Sequence, residues 1–404
     1  MTLFVRRRNA NRCTVRCILS CCAIGYVLTV LILTKYSKST VCLPRPDRFV
    51  TIDRRDEWQY QNSVTGKWYR WNLPYRKQQN EPEWAVKWLN TLPKSSLGVI
   101  IYLTTRNELA SLNQSFIQLS RLLFIATRPV VVFHEGDFND DALQRSLANS
   151  LGSRTPLAFE RIQFANISIH RRYLPRRIPV TYLNMCRFFT LMLPNHPLLT
   201  LFTYYWRMDA HSYIFGTSHI RDPFEIMHRK QIQYAFIMAN EEGESYAVGL
   251  WSLFHKFLDA HCLKSSPAVT RTQTGWFGSY SHAIIFTNFA IANVSLFRDH
   301  RLIQAWLQAV DLNGGIYRHR WGDAPVHTLA LSQLLERNEI VRLRYFGYFH
   351  RHEYVCATGI KGDQCKKQAQ SFFTKNRTSF DNYDDGCWPS SRNPLCNYYP
   401  RIEL

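Results

Sequence analysis

Acidic residues are scarce in this 404-residue chain: 30 Asp and Glu stand against 50 Lys and Arg, a formal net charge of +20. Such an excess would suit nucleic acid, but the positive charge is scattered. Five of the arginines, Arg6, Arg7, Arg8, Arg12 and Arg16, belong to a single N-terminal flank. The expected partner is therefore not nucleic acid but an anionic donor such as a nucleotide diphosphate sugar, or an acidic glycan. The densest basic patch, His170, Arg171, Arg172, Arg176 and Arg177, reads as a solvated loop. Internal repeats and low-complexity tracts are absent, and with 46% hydrophobic residues disorder is not the default. The length suits one large α/β domain or two small ones.

Long apolar runs are missing with one exception. Residues 17–34 (CILSCCAIGYVLTVLILT) carry no charge, follow the arginine flank, and are just long enough to cross a bilayer. The arginine excess predicts a cytoplasmic tail over residues 1–16 and a lumenal remainder, a single-pass type II membrane protein. A cleaved signal peptide is the competing reading, but a small-x-small cleavage pattern is poorly represented. Four N-x-S/T sequons, at Asn113, Asn166, Asn293 and Asn376, agree with a secretory compartment. The cysteines show no CxxC pairs or zinc-type histidine spacing. Seven lie beyond the anchor (Cys42, Cys186, Cys262, Cys356, Cys365, Cys387 and Cys396), which predicts disulfides with one cysteine left odd.

Residues 36–79 are polar, rich in Pro, Arg, Trp and Tyr, and lack sustained periodicity, so residues 35–79 read as a stem before a domain over 80–404. Strand-like runs are expected over residues 97–104, 129–133, 161–169, 204–209, 234–238, 283–286 and 340–345. Helical patterns cover 109–125, 141–151, 183–193, 250–262 and 300–310, with further helices opened by Asp222-Pro223 and beginning at Ala324. This alternation predicts an α/β fold on a mixed sheet.

Tyr204-Tyr-Trp-Arg-Met-Asp209 is an aromatic strand that stops on a carboxylate, with His211 two residues on. Together with Tyr182-Leu-Asn-Met-Cys-Arg-Phe188, Asp222-Pro-Phe224, Ile291-Ala-Asn293 and Gly314-Gly-Ile-Tyr-Arg-His-Arg-Trp-Gly-Asp-Ala-Pro-Val-His327, it resembles the fungal Golgi α-1,2-mannosyltransferases of cell-wall and glycoprotein mannan synthesis (glycosyltransferase family 15). The block from Gly314 to His327 is the most specific. Weaker similarity begins at Gly98 and includes Leu103-Thr-Thr-Arg-Asn107. The resemblance implies a GT-A fold, GDP-mannose as donor, manganese (Mn2+) as cofactor, and transfer to a mannoside with retention of configuration.

The implied roles fall on particular residues. Asp209 stands where the family begins its metal motif and His211 where it ends it. A strand-end carboxylate binds a hard cation, but it also reads as an ordinary turn aspartate, and His211 reads as a second ligand or as a surface histidine. His350, in Gly347-Tyr-Phe-His350, matches the other protein metal ligand, with His352 as the fallback register. Arg106, Arg187 and Arg207 match basic positions near the nucleotide, where a guanidinium fits diphosphate oxygens; an ordinary carboxylate partner is the alternative for Arg106 and Arg187. Tyr182 matches a tyrosine at the reaction centre. Asp323 reads as a helix N-cap before Pro325 and, at the same time, as an acceptor-sugar contact. His327 reads as packed within that helix, and Trp321 as a sugar platform or a core contact.

One position departs from the family in a way that touches catalysis. At Phe289-Ala290-Ile291 the family has a glutamate in the middle, implicated below the anomeric carbon, and Ala290 cannot supply that carboxylate. Three consequences are open: front-face attack assisted by the leaving diphosphate, replacement by Asp323, Glu241, Glu242 or Glu244, or loss of transfer. The expectation is a Golgi mannosyltransferase. The second reading is a glycan-binding or complex-forming subunit that assists an active mannosyltransferase.

Overall fold

The computed structural model describes residues 59–61, 68–70, 98–122, 128–152, 155–164, 178–216, 221–358, 362–372, 381–382, 386–388 and 393–402. The expected anchor, the basic patch at residues 170–177, most of the stem and the sequons at Asn166 and Asn376 lie outside them. Among the described residues no helix is long and apolar enough to cross a membrane. The chain divides into two compact units, residues 1–45 with Leu258–Leu263 and residues 46–257 with 264–404. The sheets below belong to the second.

The strands in chain order are β1 (Gln59–Gln61), β2 (Trp68–Arg70), β3 (Gly98–Leu103), β4 (Val130–His134), β5 (Leu157–Arg161), β6 (Tyr204–Met208), β7 (Ser212–Phe215), β8 (Tyr234–Phe236), β9 (Ala239–Glu241), β10 (Ala283–Ile285), β11 (Phe289–Asn293), β12 (Ile340–Leu343), β13 (Gly347–His350), β14 (Glu353–Val355), β15 (Asp381–Asn382) and β16 (Arg401–Ile402). Eight form one mixed sheet, ordered β16-β12-β8-β11-β6-β3-β4-β5. Its neighbours run parallel except at β11, which is antiparallel to both β6 and β8. A second sheet, β15-β14-β13-β7, adjoins the turn after β6, and β9 pairs with β10. β1 and β2 form a short antiparallel pair inside the expected stem.

Period-two alternation decides which residues face the core. Tyr204, Trp206 and Met208 enter the main apolar cluster with Phe289 and Ile291, while Arg207 and Ala290 point to the opposite face. Trp206 is fully buried against Phe224, Phe289 and Phe346, with ring centroids 5.1–6.2 Å apart. Burial of this kind contributes about 2–3 kcal/mol per large side chain and fixes the height of β6 in the sheet.

The expected Asp222-Pro223 start is present: Asp222 Oδ1 accepts from the Phe224 backbone N–H (2.9 Å) and opens the helix Pro223–Arg229. Other boundaries move. The expected helix over residues 109–125 stops at Leu119, where Ser120 closes the last turn. Of the strand expected over residues 161–169, Arg161 ends β5, which pairs along β4 through Leu157–Arg161, residues 162–164 are not strand, and residues 165–169 lie outside the described residues. β11 itself has no strong strand signal, since its two alanines carry little β propensity. Asn293 is taken up as a helix cap, with its Oδ1 accepting from Ser295 N and its amide donating to Gln233, so this sequon is structurally engaged.

The disulfide expectation is met by Cys356–Cys365 and Cys387–Cys396, and Cys262 is also bonded. Cys186, buried and unpaired, is the odd cysteine among the described residues.

Candidate active site

β6 ends at the carboxyl edge of its parallel neighbour β3, and the chain turns at once, with Ser212 N donating to Asp209 O (2.9 Å). The turn delivers Asp209 and His211 and sends β7 away antiparallel to β13, in a register that pairs Ser212 with His350. A histidine 141 positions after Asp209 in sequence is thereby placed beside the same turn. His350 is buried and its Nδ1 lies 3.2 Å from Ser212 Oγ, which also meets the Tyr348 hydroxyl at 2.7 Å. Burial holds its ring well below the ordinary histidine pKa, so it stays neutral, the form that ligates metal. Burial pushes Asp209 up, opposed by the Arg207 guanidinium.

A divalent cation fits this arrangement in part. Asp209 keeps 27% of its side chain exposed, and His350 has one ring nitrogen fixed by Ser212, as metal-bound histidines usually do. His211 sits with Nε2 3.5 Å from Glu108 Oε1. Among the described residues no three His, Cys, Asp or Glu side chains gather as a ligand set. Asp209 and His350 are the two candidate ligands beside this turn, with His211 turned to Glu108, and a hard cation held by so few side chains takes its remaining oxygens from phosphates and water.

The face of β6 turned away from the apolar cluster carries a second charged group next to Asp209. Arg207 is buried, paired with Asp323 and 3.4 Å from Asp209, and its guanidinium lies 3.4 Å from the centroid of the Phe189 ring. Asp323 does not cap its helix. Gly322 takes the cap position, Asp323 is the first residue of Asp323–Leu334, and its carboxylate turns inward to Arg207. Burial pushes this carboxyl up, but Arg207, His327 and a Thr287 hydrogen bond hold it below the usual range, so it is ionised. Ala290 is the register partner of Arg207 on β11. Of the four carboxylates considered as substitutes for the missing glutamate, Asp323 is thus the one paired with Arg207, the strand neighbour of Ala290. Glu241 and Glu244 are exposed, and Glu242 pairs with Arg320 (3.2 Å).

Tyr182, half-buried on the helix Val180–Arg187, accepts a hydrogen bond from Arg320 Nη2 (2.8 Å), and burial keeps its hydroxyl protonated. Arg320 also lies over the Tyr246 ring (4.1 Å). Arg106 is exposed just beyond β3. Arg187 forms a buried two-point bridge to Asp311 (2.6 and 2.7 Å), the carboxylate partner left open by the sequence.

The Gly314 to His327 block has a local explanation. Gly314 ends the helix Arg301–Asn313 with φ 71°, and a side chain on Gly315 would collide with Trp321 at 2.2 Å. Trp321 is a core contact, donating to Val248 O (2.9 Å), and His327 is packed against Thr190 O (3.3 Å). Arg320 and Glu108 were missed from sequence. Arg320 lay inside the quoted block, but its left-handed backbone (φ 61°), which aims it at Tyr182, has no residue-type signal.

A family model described as glycolipid 2-alpha-mannosyltransferase matches residues 160–387. The chain belongs to this family. Among curated members, the alpha-1,2 mannosyltransferase KTR1 of Saccharomyces cerevisiae is 30% identical over 179 residues, 44% of this chain and 45% of that protein. The chain spans about half the length of the curated relatives it matches. Family likeness extends to solved structures. The mannosyltransferase Ktr4p from S. cerevisiae superposes with a TM-score of 0.59 at 24% identity, covering 66% of this chain and 73% of that one. Core-mannan synthase A from Aspergillus fumigatus, in an Mn/GDP form, gives 0.57 at 20% identity over 79% and 84%. These likenesses show the GT-A-type fold.

Proposed function

We propose that this protein transfers mannose from GDP-mannose to a mannoside hydroxyl, as an α-1,2-mannosyltransferase facing the Golgi lumen behind the segment at residues 17–34. Family membership supports the reaction class, and a relative solved in an Mn/GDP form supports the donor and metal. Bonded Cys262, Cys356, Cys365, Cys387 and Cys396 support an oxidising lumen. The observation that carries the reading is the β7–β13 register, which brings neutral His350 to the Asp209 turn.

In this reading Asp209 and His350 hold manganese, which when bound supplies charge to offset the departing diphosphate. Exposed Arg106 reaches phosphate. Arg207 and Arg187 act indirectly, the first by orienting Asp209 and Asp323, the second by pinning its helix to Asp311. Tyr182, its hydroxyl oriented by Arg320, hydrogen-bonds the leaving oxygen or the acceptor. With Ala290 lacking a carboxylate and Asp323 neutralised by Arg207, attack from the leaving-group face fits these residues better than a covalent intermediate.

Ala290 also supports the second reading, a glycan-binding or complex-forming subunit that assists an active mannosyltransferase. Incubation with GDP-mannose, manganese and methyl α-mannoside, beside Asp209→Ala and Ala290→Glu, separates the two. Product from the parent supports the transferase. Product only after Ala290→Glu defeats the transferase reading, and calorimetry with GDP and manganese then reports whether nucleotide still binds.

A further inference from the structure

Outside the buried pairs, the chain exposes two adjacent aromatic rings. Trp276 is 86% exposed and Phe277 fully so, at the tip of a tight loop. The loop is braced: Gly275 N donates to Ser279 O (2.7 Å), Ser279 Oγ to Trp276 O (2.8 Å), and Trp251 Nε1 to Gly278 O (3.0 Å), over a Thr274–Tyr280 bridge. Phe277 adopts a left-handed backbone (φ 53°, ψ 27°), which is strained for a bulky residue. Solvent returns nothing for that strain or for the exposed rings, and strain of this kind gathers at ligand clamps.

The base of the loop leads to the candidate site. Tyr280 stacks on Trp251 (5.2 Å) and meets the His282 ring (4.6 Å), and His282 O accepts from Glu242 N (2.8 Å). Glu242 is the partner of Arg320, which orients Tyr182 and lies under half-exposed Tyr246. Residues 272–297 contain no Lys or Arg, whereas loops drawn to an anionic lipid surface carry clustered cations; Ser and Thr hydroxyls flank this tip instead. Neutral, hydroxyl-rich rings with an apolar C–H face match it better.

We propose that Trp276 and Phe277 form an acceptor subsite that stacks on sugar rings of the glycan beyond the residue receiving mannose. The proposal rests on the mannosyltransferase reading and names its substrate class: an oligomannoside in preference to a single sugar.

The test uses the full chain with Trp276→Ala and Phe277→Gly, the glycine suiting the left-handed backbone so that folding is retained. KM is measured for α-mannotetraose and for methyl α-mannoside, with GDP-mannose and manganese, and mannotetraose binding is followed by calorimetry without donor. The ratio of the two KM values should rise about tenfold in each variant, and calorimetric binding should weaken to match. An unaltered ratio together with unaltered calorimetric binding in both variants overturns the subsite. So does binding of the parent to phosphatidylcholine–phosphatidylserine vesicles that Trp276→Ala abolishes while the ratio holds. A parent that transfers no mannose, yet binds mannotetraose through Trp276, refutes the transferase reading and supports the subsite.

Discussion

Asp209 keeps 27% of its side chain exposed, whereas Arg207, two residues earlier on the same strand, keeps 6% and is clamped between Asp209 and Asp323. At the Asp209–His350 end the carboxylate stays partly exposed, burial pushes its pKa up, and burial holds the histidine neutral. At the Arg207–Asp323 end every charge has its counter-charge, and burial is nearly complete. A carboxylate left partly exposed is free to gain from a ligand, while a buried, charge-paired arginine holds the scaffold in shape. The first region should therefore govern binding and the second stability.

The sharpest way to break that contrast is a pair of substitutions. Asp323→Ala leaves the Arg207 charge buried without its main partner and should cost about 3–5 kcal/mol in urea denaturation. Asp209→Ala should cost less than about 1 kcal/mol, since its pair is partly hydrated, yet weaken manganese-dependent GDP binding about a hundredfold or more. Equal stability losses would erase the distinction.

His327 extends the second region into pH. Burial pushes its pKa down to about 4, from an ordinary 6.5. Between those values the unfolded chain binds a proton that the folded chain does not, so stability rises with pH there. As pH falls from about 6.5, up to about 3 kcal/mol should be lost, with the decline ending near 4. His327→Gln, which keeps a donor toward Thr190 O, should flatten this slope in urea titrations. His134, also pushed down to about 4 by burial, leaves a residual slope of the same sign.

Much of this contrast was legible in sequence at one end and hidden at the other. A strand that closes on Asp209 and a helix opened by Asp222-Pro223 are local patterns, and both are present. Long-range pairing has no such signature. Arg187 meets Asp311 across 124 positions, and Asp323 looked like a cap because Ala-Pro follows it, yet a buried arginine claims its carboxylate. In the sequence, resemblance alone points to His350. The physical cause, strand register with Ser212, could be read only from the folded sheet.

Ser212 tests the first region from behind its ligands. Its hydroxyl joins His350 Nδ1 to the Tyr348 hydroxyl, and Tyr348 also donates to Asn288 O (3.0 Å). Ser212→Ala should leave Tyr348 anchored but free the His350 ring to turn, lowering manganese affinity about tenfold. The same loss in Tyr348→Phe, which keeps Ser212, would trace the effect to the hydroxyl network as a whole.

The smallest expected effect belongs to Arg106, whose exposed position beyond β3 ties it to no buried partner. Its backbone N–H donates to Asp137 Oδ2 (2.6 Å), a bond that any residue but proline preserves, so Arg106→Ala should leave the urea midpoint in place. A solvent-facing guanidinium reaching diphosphate is worth little and is screened by salt, which predicts about a threefold loss of GDP affinity in dilute buffer and less at high ionic strength. Unchanged affinity in dilute buffer would remove Arg106 from the binding region. A lowered urea midpoint would move it to the structural side of the comparison, beside Arg187.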